Sequence, residues 1–231
     1  MISIIIPTYN EEKNIGELLN YLKKYVENEN AELLVVDGGS SDSTIQAAES
    51  LGARVIISAQ KGRAKQMNFG AKMASGEWLY FLHADTFPPP TFLDDIRQKT
   101  ARGFGCGCFR LRFNNLHPAL RFYGWFTRFD IGIFRFGDQS LFVKKALFWK
   151  VGGFNENLLV MEDQEIITRL KKRAQFCIIK KEVVTSARKY GEIGVFKLQL
   201  IFAIIVLLYY MQVSQNVLAH FYKKISAGSE Y

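Results

Sequence analysis

Two side chains of types that bind metal ions stand two positions apart: His83 and Asp85, within FLHADT at residues 81–86. They follow the apolar run WLYFL, which has the character of a buried β-strand. Because side chains alternate between the faces of a strand, the two point the same way. Hard cations such as Mg²⁺ and Mn²⁺ prefer carboxylate oxygen, so we predict that Asp85 is a metal ligand. For His83 three alternatives stay open: a ligand that suits Mn²⁺ better than Mg²⁺, an outer contact to a ligand, or a histidine satisfied at a strand end.

The elements that would position these residues alternate along the first half of the chain. Four short apolar runs have strand character, and the segments between them repeat apolar residues at helical spacing. The predicted strands are residues 2–7, 32–37, 54–58 and 77–82, and the predicted helices are residues 15–26, 45–51 and 64–74. This alternation predicts a single Rossmann-like, three-layer α/β fold with a mostly parallel sheet. Ligands of such folds bind beyond the carboxyl ends of the strands, where PTYNE, DGGSSD and HADT all lie.

The second half of the chain is less regular. Helices are predicted at residues 88–102, 144–153 and 163–173, and extended segments at residues 106–113, 138–143 and 176–186. Residues 114–137 are rich in aromatic side chains and match neither pattern. We expect this irregular region to determine the specificity of the site.

Charge is distributed unevenly along the 231 residues. Residues 1–90 carry 8 Lys or Arg against 11 Asp or Glu, whereas residues 91–231 carry 22 against 11. A basic half indicates an anionic partner, such as a phosphate group, a nucleic acid or a lipid surface, or a solvated basic face. Three cysteines without a CxxC spacing predict neither a disulfide framework nor a zinc site. Because no signal peptide is recognisable ahead of the first strand, we expect a cytoplasmic location.

A continuous apolar segment, LIFAIIVLLYYM, occupies residues 200–211. As a helix it would cover about 18 Å, short of the roughly 30 Å hydrocarbon core, so we predict no membrane span. A helix packed on the domain, a homo-oligomer contact, or a helix lying in a membrane interface fits better. Residues 97–150 carry eleven basic residues against two acidic ones. We therefore hypothesise peripheral contact with the inner face of an anionic membrane through residues 195–213.

Taken together, these segments resemble family 2 glycosyltransferases, which use a nucleotide-sugar donor and a single Rossmann-like domain. The resemblance is carried by SIIIPTYNEEKNIGELL, VVDGGSSDST, GGFNENLLVMED and HADT, which stands where that family has its Asp-X-Asp signature. More narrowly, GRAKQMNFGAKMASGEWLYFLHADT and GDQSLFVKKALFWKVGGF are similar to a bacterial subgroup linked to radical-SAM and arsenosugar genes. We accordingly divide the chain into a glycosyltransferase domain at 1–190, with a nucleotide-binding half at 1–113 and an acceptor half at 114–190, and a C-terminal helical appendage at 191–231.

The resemblance implies a pocket for a nucleotide-sugar donor, which we expect to be UDP-linked. The residues expected at the donor are Pro7, Tyr9, Glu11, Asp37, Gly38, Arg63, Gln66 and Arg188. Pro7 and Tyr9 would lie against the base, and Asp37 would accept a hydrogen bond from it. Gly38 would let the backbone approach closely, although Gly-Gly-Ser-Ser is also an ordinary turn. Arg63 is the expected phosphate or base contact, or else an exposed arginine at a helix start.

The chemistry implied is transfer of a sugar to an acceptor hydroxyl, with inversion by single displacement. A divalent cation, Mn²⁺ or Mg²⁺, would stabilise the leaving diphosphate, assisted by Arg188, and a carboxylate would take the proton of the acceptor. The family pattern favours Asp163 as this base, with Glu162 as the runner-up or as a helix cap. The dipole of the helix that follows would keep the base ionised. His83 replaces the first aspartate of the signature, which adds contact with a ribose to its alternatives.

Rival functions find less support in the sequence. GFGCGC at residues 103–108 nearly spells a dinucleotide fingerprint, but it lacks the third glycine and a preceding first strand, so we exclude a dehydrogenase. No GxxxxGK[ST] is present, and no nucleic-acid recognition motif accompanies the basic half. The Gln-X-X-Arg-Trp motif of processive family members is also missing. The alternative that remains is a non-catalytic nucleotide-sugar-binding protein, in which His83 would mark a site poor in metal.

Overall fold

β-Strands alternate with α-helices in the first half of the chain, as the hydrophobic pattern predicts. A computed structural model describes residues 1–225, with side chains through residue 222. The strands are β1 (Ile2–Thr8), β2 (Ala31–Asp37), β3 (Arg54–Ile57), β4 (Trp78–Phe81), β5 (Thr86–Phe87), β6 (Cys106–Phe113), β7 (Leu141–Lys144) and β8 (Phe176–Thr185). The helices are α1 (Glu12–Val26), α2 (Thr44–Ser50), α3 (Arg63–Met73), α4 (Phe92–Ala101), α5 (Pro118–Phe126), α6 (Lys145–Lys150), α7 (Glu162–Lys171), α8 (Arg188–Ile193), α9 (Val195–Tyr210) and α10 (Gln215–Ile225). The four strands and three helices predicted for the first half are confirmed.

The described strands form one sheet in the order β3-β2-β1-β4-β7-β6-β8-β5. The first four pair in parallel, as do β6 and β8, whereas the β4–β7, β7–β6 and β8–β5 pairs are antiparallel. The registers Thr8↔Asp37 and Ile5↔Phe81 bring the carboxyl ends of β1, β2 and β4 to the same edge. The mostly parallel α/β fold is therefore confirmed, and the loops after these three strands share one rim.

Both faces of the sheet are covered, which makes three layers. Alternate residues of β1 separate two cores: Ile4 and Ile6 pack with α1 on one face, and Ile5 packs with α3 on the other. Helix α3 lies so close to the sheet that a Cβ on Gly70 would come within 2.5 Å of Ile5 Cγ2. Strands buried on both faces have no solvent side, which explains their continuous apolar runs.

The aromatic region that matched no pattern forms helix α5 and a loop of residues 127–139 with two short 3-10 turns. Arg135, at 0% exposure, holds this loop together from inside. Its guanidinium donates hydrogen bonds to Gln139 Oε1 at 2.6 Å, to the carbonyl oxygen of Thr127 at 2.7 Å and to that of Phe129. Because leaving a buried guanidinium without partners is costly, these contacts fix the path of the loop.

Three boundaries in the second half differ from the prediction by three or four residues. Helix α6 ends at Lys150 instead of residue 153, because Gly152 and Gly153 have positive φ. Strand β7 begins at Leu141 instead of residue 138, because Gly137–Gln139 form a 3-10 turn and Ser140 has a positive φ of 57°. Helix α4 begins at Phe92 instead of residue 88. The three prolines that precede it have no N–H to donate, and each restricts the residue before it to extended conformations.

The apolar C-terminal segment is helix α9, which packs on the domain along one side. Leu198, Ile201 and Ile205 are buried in the core that also contains α1. On the opposite side, Phe196 and Leu200 are 70% and 62% exposed. The helix therefore presents a continuous apolar surface to its surroundings.

No helix within residues 1–225 is long and apolar enough to cross a membrane. Tyr190 of α8 and Leu198 of α9 belong to the same core as the first half of the chain. The division at residue 190 stays a prediction, and the last residues of the predicted appendage, 226–231, lie outside the described residues.

Candidate active site

The turn after β2 is built by Asp37, which is fully buried. Its Oδ2 accepts hydrogen bonds from the N–H groups of Gly39 and Ser40, both at 2.8 Å. Its Oδ1 accepts from Ser40 Oγ at 2.5 Å and from Thr8 Oγ1 at 3.2 Å. A carboxylate offers about four acceptor positions, and these four donors fill them. Asp37 thus shapes the rim of the pocket, and its contact with a base stays a prediction.

Gln66 joins the ends of β1 and β2 beneath this turn. Its Nε2 donates to the carbonyl oxygens of Thr8 at 2.7 Å and Val36 at 2.8 Å. Gly38 lies directly on the amide, since a Cβ there would come within 3.0 Å of Gln66 Cδ. A glycine at this position therefore allows the backbone to pack directly against the buried side chain of Gln66. Direct contact of either residue with a donor stays a prediction.

Tyr9 and Lys61 form the outer wall of the same rim. The Lys61 Nζ lies 5.2 Å from the centroid of the Tyr9 ring, which is a cation–π contact, and contact of Tyr9 with a base stays a prediction. Pro7 is partly buried in β1, two residues earlier. Glu11 is turned toward α1, where its Oε2 accepts from Asn14 Nδ2 at 2.5 Å. Lys61, four residues beyond the end of β3, is not among the residues predicted for the site.

Asp138 was not predicted as a site residue, yet it contacts His83. The His83 Nδ1 lies 2.9 Å from Asp138 Oδ1. Burial and the charge of Arg63 lower the pKa of His83, but the hydrogen bond to Asp138 and its negative charge outweigh them and leave the pKa above its usual value. The same contact leaves the pKa of Asp138 below its usual value, although burial opposes this. The carboxylate is therefore ionised at neutral pH, and the Nδ1–H donates to it.

Asp163 lies in the first turn of α7 and touches the loop that carries Asp138. A Cβ on Gly137 would come within 2.2 Å of Asp163 Oδ2 and 2.7 Å of His83 Cε1, so the carboxylate and the imidazole approach the same glycine. Burial, and then the charge of Glu162, raise the pKa of Asp163 to about 7. The expectation that the helix dipole keeps this group ionised is corrected, because burial outweighs the dipole. A pKa near the working pH suits a general base.

We expect the substitution Asp163→Asn to stabilise the protein, and the gain to grow with pH. The aspartate has a pKa of about 7 in the folded protein against 3.8 ordinarily, so the folded state binds the proton more tightly. Wild-type stability therefore falls as pH rises through this window, and asparagine removes the loss. The gain should be small at about pH 4 and reach about 1–2 kcal/mol at about pH 8, allowing for partial solvent screening. Urea unfolding in EDTA, without nucleotide, measures both values, and an equal gain at both would contradict the prediction.

Glu162, the other acid of the pair, is buried and faces Arg63. Its Oε1 lies 3.6 Å from Arg63 Nη1, and only 4% of the residue is exposed. Arg63 also lowers the pKa of Asp85 and of Asp138, which places its charge among the acidic groups of the rim. The two neighbouring acids therefore have different contacts: Glu162 pairs with Arg63, and Asp163 contacts the loop at Gly137.

Asp85 lies two residues beyond His83 on the rim. Burial, and then the charge of Asp138, raise its pKa, while the charges of His83, Arg63 and Arg188 oppose the rise. A divalent cation would relieve the repulsion between these carboxylates. Among residues 1–225, no group of three or more His, Cys, Asp or Glu side chains could hold a metal ion by itself. One carboxylate and one imidazole fit a cation whose other ligands are substrate phosphates and water.

A cavity of about 760 Å³ lies away from these residues, between α3 and α7. Lys65, Asn68, Trp149 and Arg169 are among the residues that line it, and none of the predicted site residues does. The Arg169 Nε donates to Glu165 at 2.6 Å, so this guanidinium is already engaged within α7. The candidate site therefore remains at the rim, where the acidic and basic groups converge.

Comparison with protein families decides between the functions that such a sheet can host. The family model described as Glycosyl transferase family 2 matches residues 3–149, more than half of the chain. The chain belongs to glycosyl transferase family 2. The family named from the sequence motifs is thereby confirmed, and with it the class of enzyme. The finer bacterial subgroup stays a prediction.

Curated glycosyltransferases resemble the chain over different shares of its length. A PGL/p-HBAD biosynthesis glycosyltransferase of Mycobacterium bovis is 28% identical over 214 residues, which are 84% of this chain and 78% of that protein. A dolichol-phosphate mannosyltransferase of Pyrococcus furiosus is 31% identical over 107 residues, 44% of this chain and 30% of that protein. The match thus spans less than a third of the second relative.

Solved structures share the fold of this family 2 member at low sequence identity. A mannosyltransferase of Pyrobaculum calidifontis in complex with GDP-Man and Mn²⁺ has a TM-score of 0.73 at 17% identity, covering 97% of this chain and 69% of that one. TarS 1-349 of S. aureus in complex with UDP-GlcNAc has a TM-score of 0.66 at 23% identity, covering 80% and 58%. At this identity the likeness shows the fold alone.

Proposed function

We propose that this family 2 member transfers a sugar from a nucleotide-diphosphate donor, UDP-linked, to an acceptor hydroxyl. The observation that carries the proposal is the convergence of His83, Asp85 and Asp163 at one rim, with Arg63 among them. Relatives of the same fold support a nucleotide-sugar donor, since one was solved with UDP-GlcNAc and another with GDP-Man and Mn²⁺.

Asp163 is the general base in this proposal. It accepts the proton of the acceptor hydroxyl while the acceptor oxygen bonds to the anomeric carbon of the sugar. The bond from that carbon to the diphosphate breaks on the opposite face, its electron pair leaves with the nucleoside diphosphate, and the configuration inverts. A pKa of about 7 supports this role, because the group is partly ionised at neutral pH and still basic enough to take a proton.

Asp85, with His83 beside it, would hold the divalent cation. Bound Mn²⁺ or Mg²⁺ supplies Lewis-acid stabilisation of the leaving diphosphate. Arg63 and Arg188 lie close enough to lower the pKa of Asp85, and their positive charges would also face the diphosphate.

Release of UDP or GDP from a panel of sugar nucleotides, in the presence of Mn²⁺ and candidate acceptors, tests the function. We expect release from a UDP-linked donor, lost on treatment with EDTA and restored by Mn²⁺. Nucleotide binding without release, across all donors and acceptors, would instead support the non-catalytic alternative. Failure to bind any of the nucleotides would contradict both the transferase proposal and the non-catalytic alternative.

The exposed side of α9 supports contact with a membrane surface. Phe196, Leu200 and Leu207 are 70%, 62% and 59% exposed, and Trp125 of α5 is 43% exposed. The ring of His117, the residue before α5, lies 6.1 Å from the ring of Phe196 in α9. In this proposal the apolar side chains enter the interface of an anionic membrane, and basic side chains face its headgroups. The cytoplasmic location and the homo-oligomer contact stay predictions.

We expect the protein to sediment with anionic vesicles at low salt and to be released at high salt. The double substitution Phe196→Ser and Leu200→Ser should weaken this binding at least about tenfold, because burying each side chain contributes roughly 1.5–3 kcal/mol. Ile57→Ser is the matched control, since Ile57 is 62% exposed but lies on β3, and it should bind like wild type. Absence of sedimentation with anionic vesicles at low salt would end the membrane proposal.

A further inference from the structure

Asp138 reaches across the site to a residue 55 positions away in the chain, with its Oδ1 2.9 Å from His83 Nδ1. The histidine is well enclosed, with 13% of its side chain exposed, whereas 43% of the Asp138 side chain is exposed. Strand β7, which follows Asp138, pairs with β4, which precedes His83, so the sheet brings the two loops together. The antiparallel pairing of β7 with β4 therefore brings Asp138 to the rim formed by the parallel strands.

This hydrogen bond decides which nitrogen of His83 is available to a ligand. A neutral imidazole has one N–H and one lone pair, and the carboxylate of Asp138 holds the proton on Nδ1. The lone pair is then on Nε2, which makes no hydrogen bond with the described part of the chain. Histidines that bind metal ions almost always donate their other N–H to a carboxylate, a carbonyl or water in this way.

The His83 ring lies beside Gly137 and Asp163 at the rim. Its Cε1, the atom between the two nitrogens, faces Gly137 together with Asp163 Oδ2. Asp85 follows two residues later in the chain and lies near His83 at the rim. A cation held by Asp85 would therefore have an imidazole nitrogen as its neighbour.

We propose that Asp138 is a positioning residue, which fixes the His83 ring so that Nε2 becomes a ligand of the divalent cation beside Asp85. The inference rests on the proposed function, because the diphosphate of the donor completes the coordination. It gives a reason for the histidine in place of the first aspartate of the signature: a nitrogen ligand favours Mn²⁺ over Mg²⁺. Two rivals are a His–Asp pair that only ties the loop to the sheet, and a protonated His83 that faces the diphosphate as a cation.

Pulsed EPR on the frozen complex with Mn²⁺ and UDP separates these roles, because a directly bound imidazole nitrogen couples to the Mn²⁺ electron spin. We expect the nitrogen coupling in the wild type and its loss in His83→Ala. In Asp138→Ala the coupling should weaken, and the Kd for Mn²⁺ measured with UDP present should rise about 10–100-fold. Asp138→Asn keeps an oxygen that can accept from Nδ1–H, so it should retain the coupling. The Kd for Mg²⁺ should change less in each variant, because Mg²⁺ gains less from nitrogen.

Asp130→Ala is the matched control, since Asp130 is an exposed acid of the same loop whose partner is Lys171. It should leave the Kd for Mn²⁺ and the nitrogen coupling unchanged. If Asp138→Ala does not fold, Asp138→Ser replaces it, because the shorter side chain remains polar but does not reach Nδ1. Thermal unfolding of each variant shows whether the fold is kept.

The outcomes are distinguishable. Mn²⁺ that binds with UDP but shows no nitrogen coupling in the wild type would overturn the inference and leave the proposed function intact. Coupling that survives unchanged when Asp138 is replaced by alanine or serine would overturn the positioning role. Failure of Mn²⁺ and UDP to bind at all would count against the proposed function itself.

Discussion

Replacing Asp163 with asparagine should lower the turnover number by about 10²–10⁴-fold while the Kd for UDP stays near that of the wild type. The asparagine has nearly the same shape, so the contact with Gly137 is kept, but it cannot take the proton of the acceptor hydroxyl. The substitution removes no group that would hold the cation, since Asp85 and His83 are unchanged. Steady-state kinetics with the donor found to turn over, together with calorimetric titration of UDP in Mn²⁺, measure the two quantities.

The matched control for this substitution is Glu165→Gln, an isosteric change in the same turn of α7. Glu165 pairs with Arg169, away from the rim, and its loss should leave the turnover number near wild type. Asp163→Asn is also expected to be more stable than the wild type above neutral pH, and urea unfolding of the variant shows whether misfolding accounts for a lost rate. A variant that keeps the full rate would exclude Asp163 as the base, and a variant that loses UDP binding in parallel would make it a binding residue.

Much of the rim follows from the sequence because it depends on local patterns. Asp37 and Asp85 each follow an apolar strand, and neighbouring parallel strands present their carboxyl ends at one edge. Strand alternation alone therefore places both acids there. The details of Asp37 do not follow, because its four donors come from a turn and a neighbouring strand that no periodicity describes.

The part of the site that the sequence did not reveal depends on long-range contacts. The sequence pattern predicts an extended segment from residue 138, because the apolar residues after DQS have strand character. The path of this loop is determined instead by Arg135, whose buried guanidinium bonds to carbonyl oxygens several residues away. Asp138 reaches His83 only once that loop and the antiparallel pairing of β7 are in place.

The prediction that Asp163 stays ionised is wrong for a related reason. The helix dipole favours an ionised Asp163, and this is visible from its position at the start of α7. Its enclosure by the loop at Gly137 and its neighbour Glu162 are properties of the folded chain, and they raise the pKa to about 7. The helix dipole lowers the pKa of Asp163 only slightly, whereas burial removes the carboxylate from water and raises the pKa by more.

The substitution Gly137→Ala should lower the turnover number by about 10–100-fold, with a smaller effect on UDP binding. The added Cβ would lie 2.2 Å from Asp163 Oδ2 and 2.7 Å from His83 Cε1, and real Cβ atoms essentially never come closer than 3.0 Å to another atom. The side chain of Asp163 or of His83 must therefore move, and both belong to the proposed catalytic site. A displacement of about 1 Å in a reacting group can cost about 100-fold in rate.

Gly132→Ala separates this contact effect from a general effect on the loop. Gly132 lies five residues earlier in the same segment, and a Cβ there would meet nothing within 4 Å. Neither glycine has a positive φ, so alanine strains neither backbone. The control should keep the wild-type rate. If the two variants lose rate equally, the loss comes from a general effect on the loop. If both variants keep the full rate, the contact of Gly137 with Asp163 does not position the base. A loss of rate in Gly137→Ala but not in Gly132→Ala supports the proposal that Asp163 is positioned by direct contact with the backbone of Gly137.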